Sequence, residues 1–135
     1  MNTTYFLNLM AGNIYGAKKD PGIPAAYYVG LSSTAPSADG TNVTEPVGGG
    51  YRRVMVQHLG EPENGVVQNT QAIEFPESTS AWGKFTHYAI YDAESGGNLL
   101  MYGEFAEPRT IETGTVLIMR TGAVSLSIKN DSAVM

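Results

Sequence analysis

The chain has no cysteine, so it has no disulfide framework, no thiol nucleophile and no cysteine-ligated zinc, and its redox compartment is left open. Charge is scarce too. Asp, Glu, Lys and Arg make up 16% of the 135 residues, where roughly a quarter is usual in globular chains. Eight basic residues stand against thirteen acidic ones for a net charge of −5, and no basic run exceeds the pairs Lys18-Lys19 and Arg52-Arg53. Phosphate backbones are gripped by clustered cations, so nucleic acid is excluded as a partner. No apolar run approaches the ~18 residues of a membrane span, and the opening MNTTYFLNLMAG has neither a cationic start nor a long apolar core. The sequence therefore predicts a soluble protein with no export signal and no membrane insertion. The two histidines, His58 and His87, are too far apart for metal-ligand spacing, and no cofactor or metal is expected.

What remains is apolar and uncharged polar. An apolar fraction of 42% in 135 residues is enough for one ordinary core and too little chain for two. A surface dressed in Ser, Thr, Asn, Gln and Gly suits a protein whose outside is another protein's inside, because such groups cost less to desolvate than ions.

Tyr5, Phe6, Leu9, Met10 and Ile14 recur at helical spacing over residues 3–15, with Thr3 or Thr4 as N-cap and Gly16 beyond the end. This predicts a short amphipathic helix, followed by a break at Pro21-Gly22 and Pro24. From residue 25 the signals are those of strands: AYYVGLSS, YRRVMVQ, VVQNTQAIEF, KFTHYAIYDA, NLLMYGEF, GTVLIMR and AVSLSI. Between Thr34 and Gly50 lies a long polar loop, expected to be the least regular part. KFTHYAIYDA and NLLMYGEF, joined through Gly96-Gly97, form a hairpin, and GTVLIMR with AVSLSI forms a second around Thr121-Gly122. Strict alternation in the first of these strands puts Phe85, His87, Ala89 and Tyr91 on one face and Thr86, Tyr88 and Ile90 on the other. The closing KNDSAVM reads as frayed. The predicted fold is mostly β, an antiparallel sandwich or barrel-like domain with one short N-terminal helix. Residues 1–24 are expected to be a helix and connector that dock on a neighbouring subunit or, alternatively, fold back to cap one open end of the chain's own sandwich, and residues 25–135 to be the β domain.

No catalytic constellation stands out. His87, Asp92 and Ser95 invite a triad reading, but alternation along the strand sets His87 and Asp92 on opposite faces, and no GxSxG elbow exposes a serine. The acidic pairs Glu61 and Glu63, Asp92 and Glu94, and Glu104 and Glu107 are what thirteen acidic residues produce by chance. The segment from Ser37 to Asn42, around Asp39, has the oxygen-rich flavour of a calcium loop without its distal glutamate. The many tyrosines, Tyr27, Tyr28, Tyr51, Tyr88, Tyr91 and Tyr102, fill a core, or stack on sugars and anchor interfaces.

Three segments carry a resemblance: YYVGLSSTAPSADGTNVTEPVGGGYRRV, QNTQAIEFPESTSAWGKFTHYAIYDAESGGNLLMYGEF and TIETGTVLIMRTGAVSLSI. Together they resemble small structural proteins of tailed bacteriophages and prophages described as tail-fibre proteins. The most specific pieces are the loop from Thr44-Glu45-Pro46 to Gly50-Tyr51, the Ala81-Trp82-Gly83 step, and Tyr91-Asp92-Ala93 followed by Gly96-Gly97-Asn98. Physical roles accompany them. Trp82 seals the end of a sandwich and Gly83 lets the chain pass close to it, while Asp92 and Asn98 flank the turn and serve its free amides.

The resemblance implies a non-enzymatic virion protein, assembled in the bacterial host cytoplasm as an oligomeric tail-fibre or baseplate module beside other virion proteins. The alternatives are a capsid decoration protein and a domain that binds host-surface glycan. Tyr5, Phe6, Leu9 and Met10 form the apolar stripe expected to mediate assembly, since a helix this short needs a partner. Trp82, Gly83, Asp92, Gly96, Gly97 and Asn98 are the residues expected to determine the fold.

Overall fold

The computed structural model describes residues 1–16 and 23–128. The expected break at Pro21-Gly22 and the fraying of KNDSAVM lie outside the described residues. Helix α1 spans Thr4–Tyr15, and the Thr3 hydroxyl caps it by accepting from the Phe6 amide, as the preference for threonine at an N-cap anticipates. Eight strands follow: β1 Tyr28–Ser32, β2 Val54–Met55, β3 Val66–Gln68, β4 Ile73–Glu74, β5 Gly83–Tyr91, β6 Leu99–Ile111, β7 Ile118–Met119 and β8 Ser125–Ser127. All pairings are antiparallel. One sheet runs β2-β1-β5-β6, and two ribbons pair β3 with β8 and β4 with β7. The fold is thus sandwich-like, without a closed barrel among the described residues.

Burial follows the layering. Val29 and Leu31 of β1, Phe85, Tyr88 and Ile90 of β5 and Met101 of β6 meet Ile73, Phe75, Leu117, Met119 and Val124 from the ribbon side in one core. The opposite face of the sheet carries Ala89, Tyr91 and Leu99, covered in part by Val43 of the polar loop. That loop has no strand or helix, yet it is fastened: the Ser33 amide donates to Thr44 O at 3.0 Å and the Thr44 amide to Ser32 Oγ at 3.0 Å.

Three expectations need correction. GTVLIMR and AVSLSI do not pair with each other. A turn joins them, closed by the Ala123 amide on Arg120 O, but β7 crosses to β4 and β8 to β3. VVQNTQAIEF is not one strand but two, because buried Asn69 turns the chain between them. Its Nδ2 donates to Gln71 O and Arg120 O, and its Oδ1 accepts from the Val124 amide. Such a side chain replaces ladder partners with its own. Finally, alternation along β5 fails at Thr86. Phe85 pairs with Arg109 but His87 pairs with Glu104, a bulge that puts Phe85 in the same core as Tyr88 and Ile90 rather than beside Ala89 and Tyr91. A bulge changes the two-residue period by inserting unpaired residues.

Candidate functional site

The densest polar cluster is built around Arg53, a buried residue one position before β2. Its Nε donates to Glu45 Oε1 at 3.0 Å, its Nη2 to Glu45 Oε2 at 2.8 Å, and its Nη1 to the carbonyls of Ala93 and Gly96 at 2.9 and 2.7 Å. The guanidinium also lies 3.5 Å from the Tyr91 ring centre. Planar, five-donor arginine suits this site, since lysine cannot make a fork and lie over a ring together. Tyr51 completes the group: its hydroxyl donates to Glu45 Oε1 and accepts from the Leu31 amide at 3.1 Å. Gly30 is required beneath, because a Cβ there would stand 2.7 Å from both Glu45 Oε1 and the Tyr51 hydroxyl. Burial pushes the Glu45 carboxyl up, but hydrogen bonds from Arg53 and Tyr51 and the Arg53 charge more than offset it, so it rests below its ordinary value. Burial first, and then Glu45, drive the Tyr51 hydroxyl well above the usual tyrosine range.

The β5–β6 turn is held from both sides. From below, the Arg53 guanidinium takes its carbonyls. Along its neck, Asp92 Oδ1 accepts from the Asn98 amide at 2.7 Å and Asp92 Oδ2 from Asn98 Nδ2 at 3.0 Å. Gly96 and Gly97 have φ of 65° and 74°, backbone that side chains with a Cβ rarely adopt. Trp82 is buried, its ring edge-on to Tyr51 at 5.3 Å and its Nε1 donating to Gly49 O at 2.8 Å. Gly83 has φ of 100° with open space where a Cβ would sit, so its requirement is backbone conformation.

The N-terminal segment is rooted in the sheet. The Thr3 amide donates to Leu100 O at 2.9 Å, its hydroxyl reaches Leu99 O and Leu100 O, and Asn2 bridges Met101 on the outer edge of β6. Of the predicted stripe, Phe6 is buried, Leu9 and Met10 are half-buried, and Tyr5 is exposed. Phe6 and Met10 line an apolar groove of about 310 Å³ together with Tyr27, Leu100, Leu126 and Ile128. The structure thus separates the four residues: Phe6 and Met10 line the groove, Leu9 is half-buried outside it, and Tyr5 is exposed.

The other candidates are scattered or locally engaged. His87 Nδ1 pairs with Thr86 Oγ1 at 2.8 Å, and Asp92 is held by Asn98, so the triad is not assembled. Asp39 Oδ1 accepts from the amide and hydroxyl of Thr41, a local turn. Among the described residues no three His, Asp or Glu side chains form a metal-ligand group. Sequence reasoning missed the Arg53–Glu45–Tyr51 group, Asn69 and Ser78. The last is buried, with its hydroxyl donating to Glu112 O and accepting from the Thr115 amide. The only signal for the first was that Glu45 and Tyr51 stand in a recognisable loop.

The described residues thus form a small sandwich whose buried polar groups tie its own loops and turns together. The chain belongs to the family of the podophage GP4 fiber I protein gp80, matched over residues 3–127. That membership makes it a bacteriophage fibre protein, a structural component of the virion. No curated protein matches the chain.

Proposed function

We propose that the chain is a non-enzymatic building block of a tail appendage, fixed to other virion proteins and assembling as a homo-oligomer. One observation supports this beyond family membership. The first seventeen residues carry no charged side chain, and the helix they form leaves Tyr5, Leu7, Ile14 and Tyr15 exposed, a surface better suited to protein than to water. Of the stripe of Tyr5, Phe6, Leu9 and Met10 expected to mediate assembly, Tyr5 is exposed and is the part proposed to meet a partner, while Phe6 and Met10 line the groove beside the chain's own sheet.

Cryo-electron microscopy of intact particles tests the location and copy number. Density on the tail supports the proposal. Density on the head lattice makes the protein a capsid decoration protein instead, and a signal on a glycan array would assign it host recognition.

A further inference from the structure

We propose that Asn64 is a site of spontaneous deamidation, and that its conversion releases the β3–β8 ribbon. Asn64-Gly65 is the chain's one Asn-Gly pair. It makes the two-residue turn between Glu63 and Val66, whose backbones bond each other at 2.9 and 3.0 Å, the hairpin that this dipeptide favours. Both residues are exposed, with φ of 53° and 77°. Among the described residues no hydrogen bond holds the Asn64 side chain or the Gly65 amide. The chain's one Asp-Gly pair is the contrast: the Gly40 amide donates to Ser37 O at 2.9 Å, and Asp39 Oδ1 accepts from the amide and hydroxyl of Thr41. The side chains of Asn42, Asn69 and Asn98 are bound as well, to Ser37, to Gln71 and Arg120, and to Asp92.

The Gly65 nitrogen, unshielded by any Cβ, attacks Asn64 Cγ. Its proton passes to the departing side-chain nitrogen, which leaves as ammonia, and the new N–C bond closes a cyclic imide. Water is the one co-reactant: added to the side-chain carbonyl it gives aspartate, and added to the main-chain carbonyl it gives isoaspartate. The attack requires the turn to swing about its backbone, which is resisted by the Glu63–Val66 pair and by the Ile128 amide on Gly65 O at 3.0 Å. Exposed turns beside short strands open at small cost, and β3 has three residues. Isoaspartate carries the main chain through Cβ and lengthens the turn by one atom, so these bonds cannot all re-form. Either product also adds a carboxylate to the cleft that residue 64 shares with Glu61 and Glu63, where like charges repel. The ribbon starts at this turn, with Val66 opposite Ser127 and Val67 opposite Leu126, so it loosens from that end.

Ageing the full-length protein in mildly alkaline buffer tests this, with peptide mapping by mass spectrometry. Asn64 is expected to gain one dalton about tenfold faster than Asn42, Asn69 or Asn98, since glycine has no side chain to shield its nitrogen, and faster than Asp39 turns to isoaspartate. The converted fraction, separated by its added negative charge, should exchange its β3 amide hydrogens about tenfold faster than fresh protein. Asn64→Gly keeps a dipeptide suited to the same turn and has no side-chain amide to lose, so after equal ageing its β3 amides should exchange as before. An Asn64 that stays intact while the other asparagines or Asp39 convert overturns the site. A converted fraction whose β3 exchange is unchanged, or an Asn64→Gly chain that loses protection on ageing as the parent does, overturns the release.

Discussion

Arg53 meets Glu45 at two points, Nε on Oε1 at 3.0 Å and Nη2 on Oε2 at 2.8 Å, while the side chains keep only 8% and 22% of their exposure. Arg53→Ala is expected to cost about 2–4 kcal/mol, somewhat below a fully buried pair because Glu45 retains some solvent. It strands the Glu45 carboxylate and frees the carbonyls of Ala93 and Gly96. Chemical denaturation measures the loss; a variant as stable as the parent would show that the pair is energetically idle.

Acid should act through the same carboxylate. Glu45 sits below its ordinary 4.5 in the folded chain, so its contribution is complete above the unfolded value and disappears as pH falls through the lower folded one. Glu45→Gln should therefore flatten the acid limb of a melting-temperature profile relative to the parent. Parallel profiles would assign acid sensitivity to other carboxylates.

Base acts through tyrosine. Burial raises Tyr27, Tyr51, Tyr88 and Tyr91 above the usual 10.0, with Glu45 adding to the shift at Tyr51 and Tyr91. Groups raised in the folded state stabilise below the unfolded value and lose that contribution as pH climbs through the folded one. Near pH 10.5 the phenolate absorbance of the native protein should fall short of that of the urea-unfolded chain. Coincident titrations would mean that these rings are open to water.

Trp82→Ala should cost about 3–5 kcal/mol, and Trp82→Phe less, since it loses mainly the hydrogen bond to Gly49 O. With one tryptophan in the chain, native emission reports this site alone and should lie to the blue of the unfolded chain. Emission that does not shift on unfolding would contradict burial.

At the β5–β6 turn the two glycines should differ. A Cβ on Gly96 meets open space, whereas one on Gly97 would stand 2.5 Å from Asp92 Oδ1 and 2.7 Å from Ala93 Cβ. Gly96→Ala should cost about 1 kcal/mol for its backbone alone, and Gly97→Ala about 2–3 kcal/mol because it also loosens the Asp92–Asn98 bonds. Equal losses would show that the turn relaxes around either change.

Local patterns in the sequence were good guides to local structure. Thr3 announced its cap, the helix kept its bounds, and Gly96-Gly97 marked a real hairpin because turn chemistry depends on a few adjacent residues. Pairing between distant strands was not legible. Nothing within GTVLIMR or AVSLSI states that their partners lie some fifty residues earlier, and a turn between them invited the wrong pairing. The Thr86 bulge was hidden for a similar reason: alternation presumes an uninterrupted ladder, and the interruption is decided by β6 across the sheet. Arg53, Glu45 and Tyr51 are ordinary residues until the chain folds them over Gly30. As for the N-terminal stripe, period alone chose a face without knowing that Thr3 would fix which side α1 turns toward the sheet.

The pairing of β8 with β3, together with the hold of Thr3 on Leu99 and Leu100, governs the order in which the molecule can be made. As the chain emerges during synthesis, β3 waits for nearly the last described residues and α1 waits for β6 before either finds its place. Contacts between segments this far apart in sequence are expected to close late, since loop closure precedes the reward of the distant contacts. Nascent chains that stop before Ser125 would leave the β3 edge bare and prone to pair with neighbours.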